Sequence, residues 1–368
     1  MRIVFIIAQL TEGGAEREAV AFVNELVRMG QEVHLICLHD KPDDYVVDER
    51  VHRHLAPGTG VQIPKLKGAV NIVLMTALLR RIRGDVAVLF YVPFHLAVLL
   101  SKTRLVHALR GNPEKERPSK SGRFRERLAY QCADGIWIQT EAQRQFFPDG
   151  MQGKLFEVHN ILDSRFLQIR RAPRQRIVRF ISVGRLHPQK NQKLLIEAFD
   201  RMIQKTGNMA ATLTIYGRAH KDFAWVEEEL RKQICQLGLT ERVFLPGKET
   251  DMERRYEEAD AFLLSSDYEG CPNALMEAMA AGLPCVSTDC PTGPSMLIQN
   301  NRNGLLVPVG DVESMAYAME YLSVHPQEAE QLGRAAKQSM TKWGTPQEQA
   351  GQLLENLRRV CFGSKMQI

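Results

Sequence analysis

RIVFIIA (2–8), GGAEREAVAFVNELVRMG (13–30) and EVHLICL (32–38) follow one another almost without a break. The first stretch is apolar nearly throughout, as a strand buried on both faces of a parallel sheet must be. The second sets Ala15, Ala19, Phe22, Val23, Leu26 and Val27 at helical spacing and stops at Gly30. The third is a second strand. Strand, helix and strand in that order predict a parallel, doubly wound sheet.

The rhythm continues. A helix ends near 80–83, and strands are predicted at 86–90, 104–109, 135–139 and 156–158. The longest apolar run, 86–100, is interrupted by Pro93 and His95 and is shorter than the roughly 20 residues of a spanning helix, so it reads as a strand followed by a helix start. Residues 161–176 break the pattern with charge and a proline and read as a linker. A second series follows, with strands at 179–184, 211–217, 242–245, 260–266, 284–288 and 304–308 and helices at 191–203, 224–237 and 273–281. The expected architecture is α/β, with two Rossmann-like doubly wound domains facing across a cleft. The expected domains are 1–165 and 177–340, with 341–368 a C-terminal helix packing back on the first domain.

A chain of 368 residues suits two such cores, and 44% hydrophobic with 25% charged residues is the content of a folded globular protein. Seven cysteines form no CxxC pair and no regular framework, which suggests reduced thiols in a cytoplasmic enzyme and gives metal binding little support. MRIVFIIAQL lacks the length and cleavage pattern of a signal peptide. Residues 1–170 carry 24 Lys and Arg against 19 Asp and Glu, whereas 171–368 carry 24 of each, so the whole excess of positive charge lies in the first half. Within 110–127 there are seven basic and three acidic residues. Such a run is either a solvated helix face or a surface attracted to an anionic acceptor or membrane.

SSDYEGCPNALMEAMAAG (265–282) carries two carboxylates, Glu269 and Glu277. Gly270 and Pro272 mark a turn, Asn273 is a suitable N-cap, and ALMEAMAA is strong helix-forming sequence. Glu269 then precedes the helix and Glu277 lies about one turn inside it, displaced toward the same end. A helix start attracts phosphate. Carboxylates beside it suit a ligand that also offers hydroxyls, provided cations elsewhere offset the charge; a nucleotide sugar is one. VGRLHPQKNQ (183–192) supplies the cations, Arg185 and Lys190, on a strand-to-helix loop. Gly13 and Gly14 open the first helix and allow close approach of a ligand. They lack the GxGxxG spacing that a nicotinamide site would pair with an acid such as Asp40.

Taken together, GGAER (13–17), GRLHPQKN (184–191), YEGCPNALMEAMAAGLPCVSTD (268–289), GP (293–294) and NGLLVP (303–308) resemble the retaining glycosyltransferases of family 4, which have the GT-B fold. The likeness covers nearly the whole chain, thins over 40–100, and is most specific at the E-x7-E pair, Glu269 and Glu277. The resemblance implies that Glu277 holds ribose hydroxyls and that Glu269 contacts the donor sugar near its reacting face. It gives Arg185 and Lys190 the diphosphate leaving group, and Asn273, Ala274 and Leu275 helix-start N–H groups for the same phosphates. Gly184 lies in the cation loop, Gly14 packs under the donor, and Leu245, Pro246, Gly247 and Lys248 fall where the base meets backbone.

One feature departs from the family pattern. Many members carry a histidine after the fourth strand of the first domain, where this chain has Arg110, with His107 three residues earlier. Strand alternation keeps the two from sharing a face. Arg110, nearer the strand end, is the preferred site residue, and His107, His95 and His159 read as structural.

The expected activity is transfer of a hexose or N-acetylhexosamine from a nucleotide donor, a UDP-sugar, to a lipid-linked or polysaccharide hydroxyl, with retention. The family's metal independence agrees with the lack of a DxD-type cluster, so no metal or other cofactor is expected beyond the nucleotide sugar as co-substrate. Lys115, Arg117, Lys120, Arg123, Arg125 and Arg127 are the expected acceptor or anionic-membrane surface; nucleic acid is not an expected partner. The location would be cytoplasmic, with a peripheral place on the inner face of the membrane. A nucleotide-sugar epimerase of the same fold, or a noncatalytic nucleotide-binding protein, are the alternatives.

Overall fold

The computed structural model describes residues 1–363 apart from 12, 40–44, 58–63, 91–92 and 117–119; for 64–67, 116, 120–123 and 125 it describes the backbone alone. Asp40 and Arg117 therefore lie outside the described residues, as do the side chains of Lys120, Arg123 and Arg125. The chain forms two compact units, Met1–Ile161 with Thr345–Ile368, and Leu162–Gly344.

The first unit contains β1 (Arg2–Ile7), α1 (Gly14–Arg28), β2 (Glu32–Cys37), β3 (His52–Leu55), α2 (Pro64–Ile82), β4 (Val86–Phe90) and α3 (His95–Ser101). It continues with β5 (Arg104–Ala108), α4 (Pro113–Glu116), α5 (Lys120–Cys132), β6 (Gly135–Ile138) and β7 (Leu155–Glu157). The strands are parallel in the order β3-β2-β1-β4-β5-β6-β7. Both faces are covered, which is why β1 is apolar from Ile3 onward and β4 at every position. Ile3, Phe5 and Ile7 pack with Val23 and Leu26 of α1 on one face, and Val4 and Ile6 cluster with Leu79 and Ile82 of α2 on the other. The run 86–100 divides into β4 and α3, as its proline and histidine imply. No helix among the described residues is long and apolar enough to cross a membrane.

The second unit contains α6 (Arg165–Gln168), β8 (Arg179–Val183), α7 (Gln192–Thr206), β9 (Thr212–Tyr216), α8 (Ala224–Gln236), β10 (Val243–Gly247), α9 (Met252–Glu258) and β11 (Ala261–Leu264). After these come α10 (Asn273–Ala280), β12 (Cys285–Thr288), α11 (Pro294–Leu297), β13 (Leu305–Val307), α12 (Val312–Val324) and α13 (Pro326–Met340). Its six strands are parallel in the order β10-β9-β8-β11-β12-β13. Strand order reverses between β8 and β11, the point at which doubly wound sheets bind ligands beyond the carboxyl ends of their strands. The last helix, α14 (Pro346–Phe362), belongs to the first unit, where Leu353, Leu354 and Leu357 join the cluster of α1.

Two readings of the sequence need correction. The stretch 161–176 is not a free linker: Phe166 and Ile169 are buried in the second unit, and the Arg171 guanidinium donates to the carbonyls of Gly282 at 2.8 Å and Ala259 at 2.5 Å. Its many charges conceal two apolar anchors. Asn273 is not the N-cap of α10 but its first residue; extended Pro272 takes the cap position and contributes no side-chain bond.

Candidate active site

The second unit gathers most of the predicted site residues at the carboxyl ends of its strands. Beyond β8 the chain runs through Gly184, exposed Arg185 and Lys190, and Gln192 ties this loop by donating from Nε2 to the Arg185 carbonyl at 2.8 Å. Beyond β11 it runs through Ser265, Ser266 and Glu269 into α10. Side chains stitch the two loops together. Gln189 Nε2 donates to the Tyr268 carbonyl at 2.7 Å, Asn191 Nδ2 to Asp267 at 2.9 Å, and Ser265 Oγ to the Lys190 carbonyl at 2.7 Å. The central link is ionic: Lys190 Nζ lies 2.6 Å from Glu269 Oε1, with side-chain exposures of 19% and 7%.

Glu269 is held from three directions. The same Oε1 accepts from Ser266 Oγ at 2.5 Å, and Thr292 Oγ1 donates to the Glu269 carbonyl. Gly293 lets that strap come close, since a Cβ there would stand 2.6 Å from Pro272 Cδ and 2.7 Å from the Gly270 carbonyl. Lys190 spends one of its three N–H donors on Glu269 and can aim the others at an anion. With Arg185, the loop keeps a net positive charge.

Glu277 is 3% exposed and accepts from Tyr256 Oη at 3.0 Å. Tyr256 is fully buried, has the Ala274 carbonyl 3.3 Å from the same hydroxyl, and packs edge-on against Phe166 at 5.5 Å. A buried carboxylate needs such donors to stay charged. Asn273, Ala274 and Leu275 form the first turn of α10, where the Leu275 N–H donates to the Pro272 carbonyl at 3.0 Å. Pro246 and Gly247 end β10, Lys248 follows, and the Gly247 carbonyl accepts from Gly217 N at 2.8 Å. Gly217, at φ +139, allows close contact with the Gly184 carbonyl; a side chain there would strike it. Burial pushes the Cys290 thiol up to about 12, with Glu269 adding to the shift, so the nearby sulfur is no nucleophile at neutral pH.

The first unit carries the remaining residues. Gly13 precedes α1 and Gly14 opens it, and Tyr45 Oη donates to the Gly13 carbonyl at 3.2 Å. Arg110 lies two residues past β5, its guanidinium 3.6 Å above the Trp137 ring and 4.8 Å from Phe90, with Nη1 3.5 Å from Asn160 Oδ1. His107 faces the other side of the sheet and meets the Tyr130 ring edge-on at 5.3 Å. Burial, with help from His95, pushes it down to about 4, so it is a neutral packed ring. Lys115 and Arg127 are exposed on α4 and α5, as the solvated-face and anion-binding readings both require.

Motif reading missed Tyr256, Ser266, Thr292 and the Trp137–Asn160 seat of Arg110. Each comes from an element distant in sequence or carries no pattern of its own, apart from Ser266, three residues before Glu269.

A family model described as glycosyl transferase 4-like domain matches residues 13–154, and one described as glycosyl transferases group 1 matches 178–324. A poly(ribitol-phosphate) alpha-N-acetylglucosaminyltransferase of Staphylococcus aureus is 31% identical over 56% of this chain and 40% of its own. An alpha-1,4-N-acetyl-D-galactosaminyltransferase of Campylobacter jejuni, acting on a diphosphate-undecaprenol-linked glycan, is 26% identical over 92% of this chain and 93% of its own. The chain spans less than half the length of the curated relatives it matches at 30% identity or more. Anabaena HepE, solved with UDP and glucose, superposes with a TM-score of 0.81 at 19% identity, over 96% of this chain and 98% of its own, which shows a shared fold. Matched by these two models along most of its length and sharing that architecture, the chain belongs to the glycosyltransferases of GT-B fold.

Proposed function

We propose that this protein transfers a hexose or N-acetylhexosamine from a UDP-sugar to a hydroxyl of a lipid-linked or polysaccharide acceptor, with retention of configuration and without a metal ion. The observation that carries the proposal is the 2.6 Å contact of Lys190 with Glu269 across the strand-order switch, beside the helix start that holds buried Glu277. Glu277 accepts from ribose hydroxyls and Glu269 from the donor sugar. Arg185 and Lys190, with the positive end of the α10 dipole, offset the charge that grows on the leaving diphosphate. Pro246, Gly247 and Lys248 border the base. The anomeric C–O bond to phosphate breaks as the bond to the acceptor oxygen forms on the same face, and the departing phosphate oxygen takes the acceptor proton. The names of the Staphylococcus and Campylobacter relatives and the ligands of HepE support this choice of donor and acceptor.

A thermal-shift series with nucleotides and nucleotide sugars tests donor binding, because a ligand at 100 times its Kd stabilises by about 2.7 kcal/mol. A product assay with and without acceptor, in EDTA, tests the reaction. Transfer with retained anomeric configuration is expected. Failure of every nucleotide to stabilise the chain, loss of turnover in EDTA restored by a divalent ion, or release of an epimerised sugar without acceptor each defeats the corresponding part. The basic face is part of the same proposal, since an anionic surface attracts each nearby Lys or Arg by about 1 kcal/mol. Reversing Arg123, Arg125 and Arg127 to glutamate should reduce binding to anionic vesicles and raise the KM for acceptor, leaving donor affinity intact; unchanged vesicle binding and KM would leave a plain solvated face.

A further inference from the structure

Glu32, His34 and His52 bring ligand atoms within 4.8 Å of one another toward the amino ends of β2 and β3, the opposite end of the sheet from Gly13 and Arg110. Strand pairing causes this. His34 is in register with His52 and Ile36 with His54, and residues two apart on a strand share a face, so all four polar side chains project from one side. The rings of His34 and His52 stack at 4.8 Å and those of His34 and His54 at 5.1 Å. His34 is buried, whereas His52 on the edge strand is exposed.

The distances assign different roles to the four groups. His34 Nε2 lies 3.1 Å from Glu32 Oε1, near the roughly 3.3 Å that separates two donors on a tetrahedral ion with bonds of about 2.0 Å. His34 Nδ1 lies 2.8 Å from His54 Nε2. That is short for two ligands of one ion but right for an N–H donor held by an outer acceptor, the usual support of a metal-bound imidazole.

We propose that Glu32, His34 and His52 bind a divalent transition-metal ion, with zinc the ion best suited to this donor set. His34 coordinates through Nε2, and His54 orients its ring through Nδ1. His52, being exposed, closes the remaining gap by rotation, and water completes the shell. Bound there, the ion ties the edge strand β3 to β2. Its competitor is Arg2, whose Nε lies 2.7 Å from the same Glu32 oxygen; Arg81 on α2 adds a second positive charge near His54. The site therefore divides one carboxylate between a cation and a guanidinium, and micromolar affinity is expected.

The untagged full chain, titrated with zinc chloride in a calorimeter at pH 7.5, should take up one equivalent. His52→Ala and Glu32→Gln should each weaken that binding about tenfold or more, as should His54→Ala through the lost outer bond. His52 is exposed, so its variant tests the site without risk to the core. Cobalt in place of zinc should give visible bands of nitrogen and oxygen ligation without a thiolate charge-transfer band, separating this site from the seven cysteines. Absence of saturable binding at submillimolar zinc, a thiolate band, or affinity unchanged in both His52→Ala and Glu32→Gln overturns the proposal.

Discussion

The two units treat ionisable side chains near their strand ends in opposite ways. The second pairs them: Lys190 with Glu269 at 2.6 Å, and Glu277 with the Tyr256 hydroxyl at 3.0 Å. Around the carboxyl end of β5 the first removes one charge and rests another on rings. His107 is neutralised by burial, and Arg110 lies 3.6 Å above Trp137. A buried charge survives only with a partner that replaces water, and a carboxylate needs donors where a guanidinium can use an aromatic face. The difference fits a division of labour in which the second unit meets a charged ligand.

The contrast is tested hardest at Lys190. Lys190→Ala should lower turnover by about 10²- to 10³-fold, the usual cost of removing one charge-stabilising donor from a transition state. It should also lower unfolding stability by about 3 kcal/mol, because Glu269 is left buried without its cation. Adding Glu269→Gln removes the orphaned charge, so the double variant should regain stability without regaining activity. Steady-state kinetics and urea unfolding check both; recovery of activity with stability would make the pair structural.

The first unit's counterpart is His107. Its folded value is depressed to about 4, against about 6.5 for a free imidazole, so between these values the unfolded chain binds more protons. Stability from this group is complete above pH 6.5 and is lost as pH falls toward 4, by up to about 3 kcal/mol. His107→Phe keeps a ring against Tyr130 and should remove that share of the pH dependence in unfolding curves at pH 7 and 4.5. A variant with the wild-type pH slope would show that the ring is protonated in the folded state.

Much of the fold is legible in the sequence because parallel strands covered on both faces are apolar without interruption, as in β1 and β4. Motif reading fails where that signal fades. The edge strand β3, His52–Leu55, is mostly exposed and polar and shows no apolar run. Phe166 and Ile169 hide among charges in what reads as a linker. The site follows the same rule. Glu269 and Glu277 sit in one local motif and are readable by spacing, but Tyr256 on α9 and Thr292 beyond β12 reach them only through the sheet order. Arg110 is legible as a strand-end residue, whereas its seat of Phe90, Trp137 and Asn160 is assembled from separate strands and loops.

Glu277→Gln sharpens the comparison at smaller scale. An amide can still accept from Tyr256 Oη, so the unit should fold, but a neutral acceptor binds hydroxyls less strongly than a carboxylate. UDP affinity should fall about tenfold, equivalent to about 1.4 kcal/mol, with a smaller change in kcat. Calorimetric titration with UDP reads this directly, and unchanged affinity would remove Glu277 from the nucleotide site.

The smallest effect belongs to Tyr256→Phe, which deletes one hydroxyl and keeps the ring packed against Phe166 and Phe262. The lost bond to Glu277 is charge-assisted, and hydrogen bonds to charged groups contribute about 1.5–3 kcal/mol at most, part of which water entering with the ligand can replace. A loss of about threefold in UDP affinity is expected, with kcat unaltered, since the hydroxyl acts through Glu277 and touches no reacting atom. In a Glu277→Gln background the same substitution should cost less, because the bond it removes no longer meets a charge; the coupling of the two changes measures how far Tyr256 works through the carboxylate. Strict additivity of the two losses would mean that Tyr256 only fills space beneath α10 and does not act through the carboxylate.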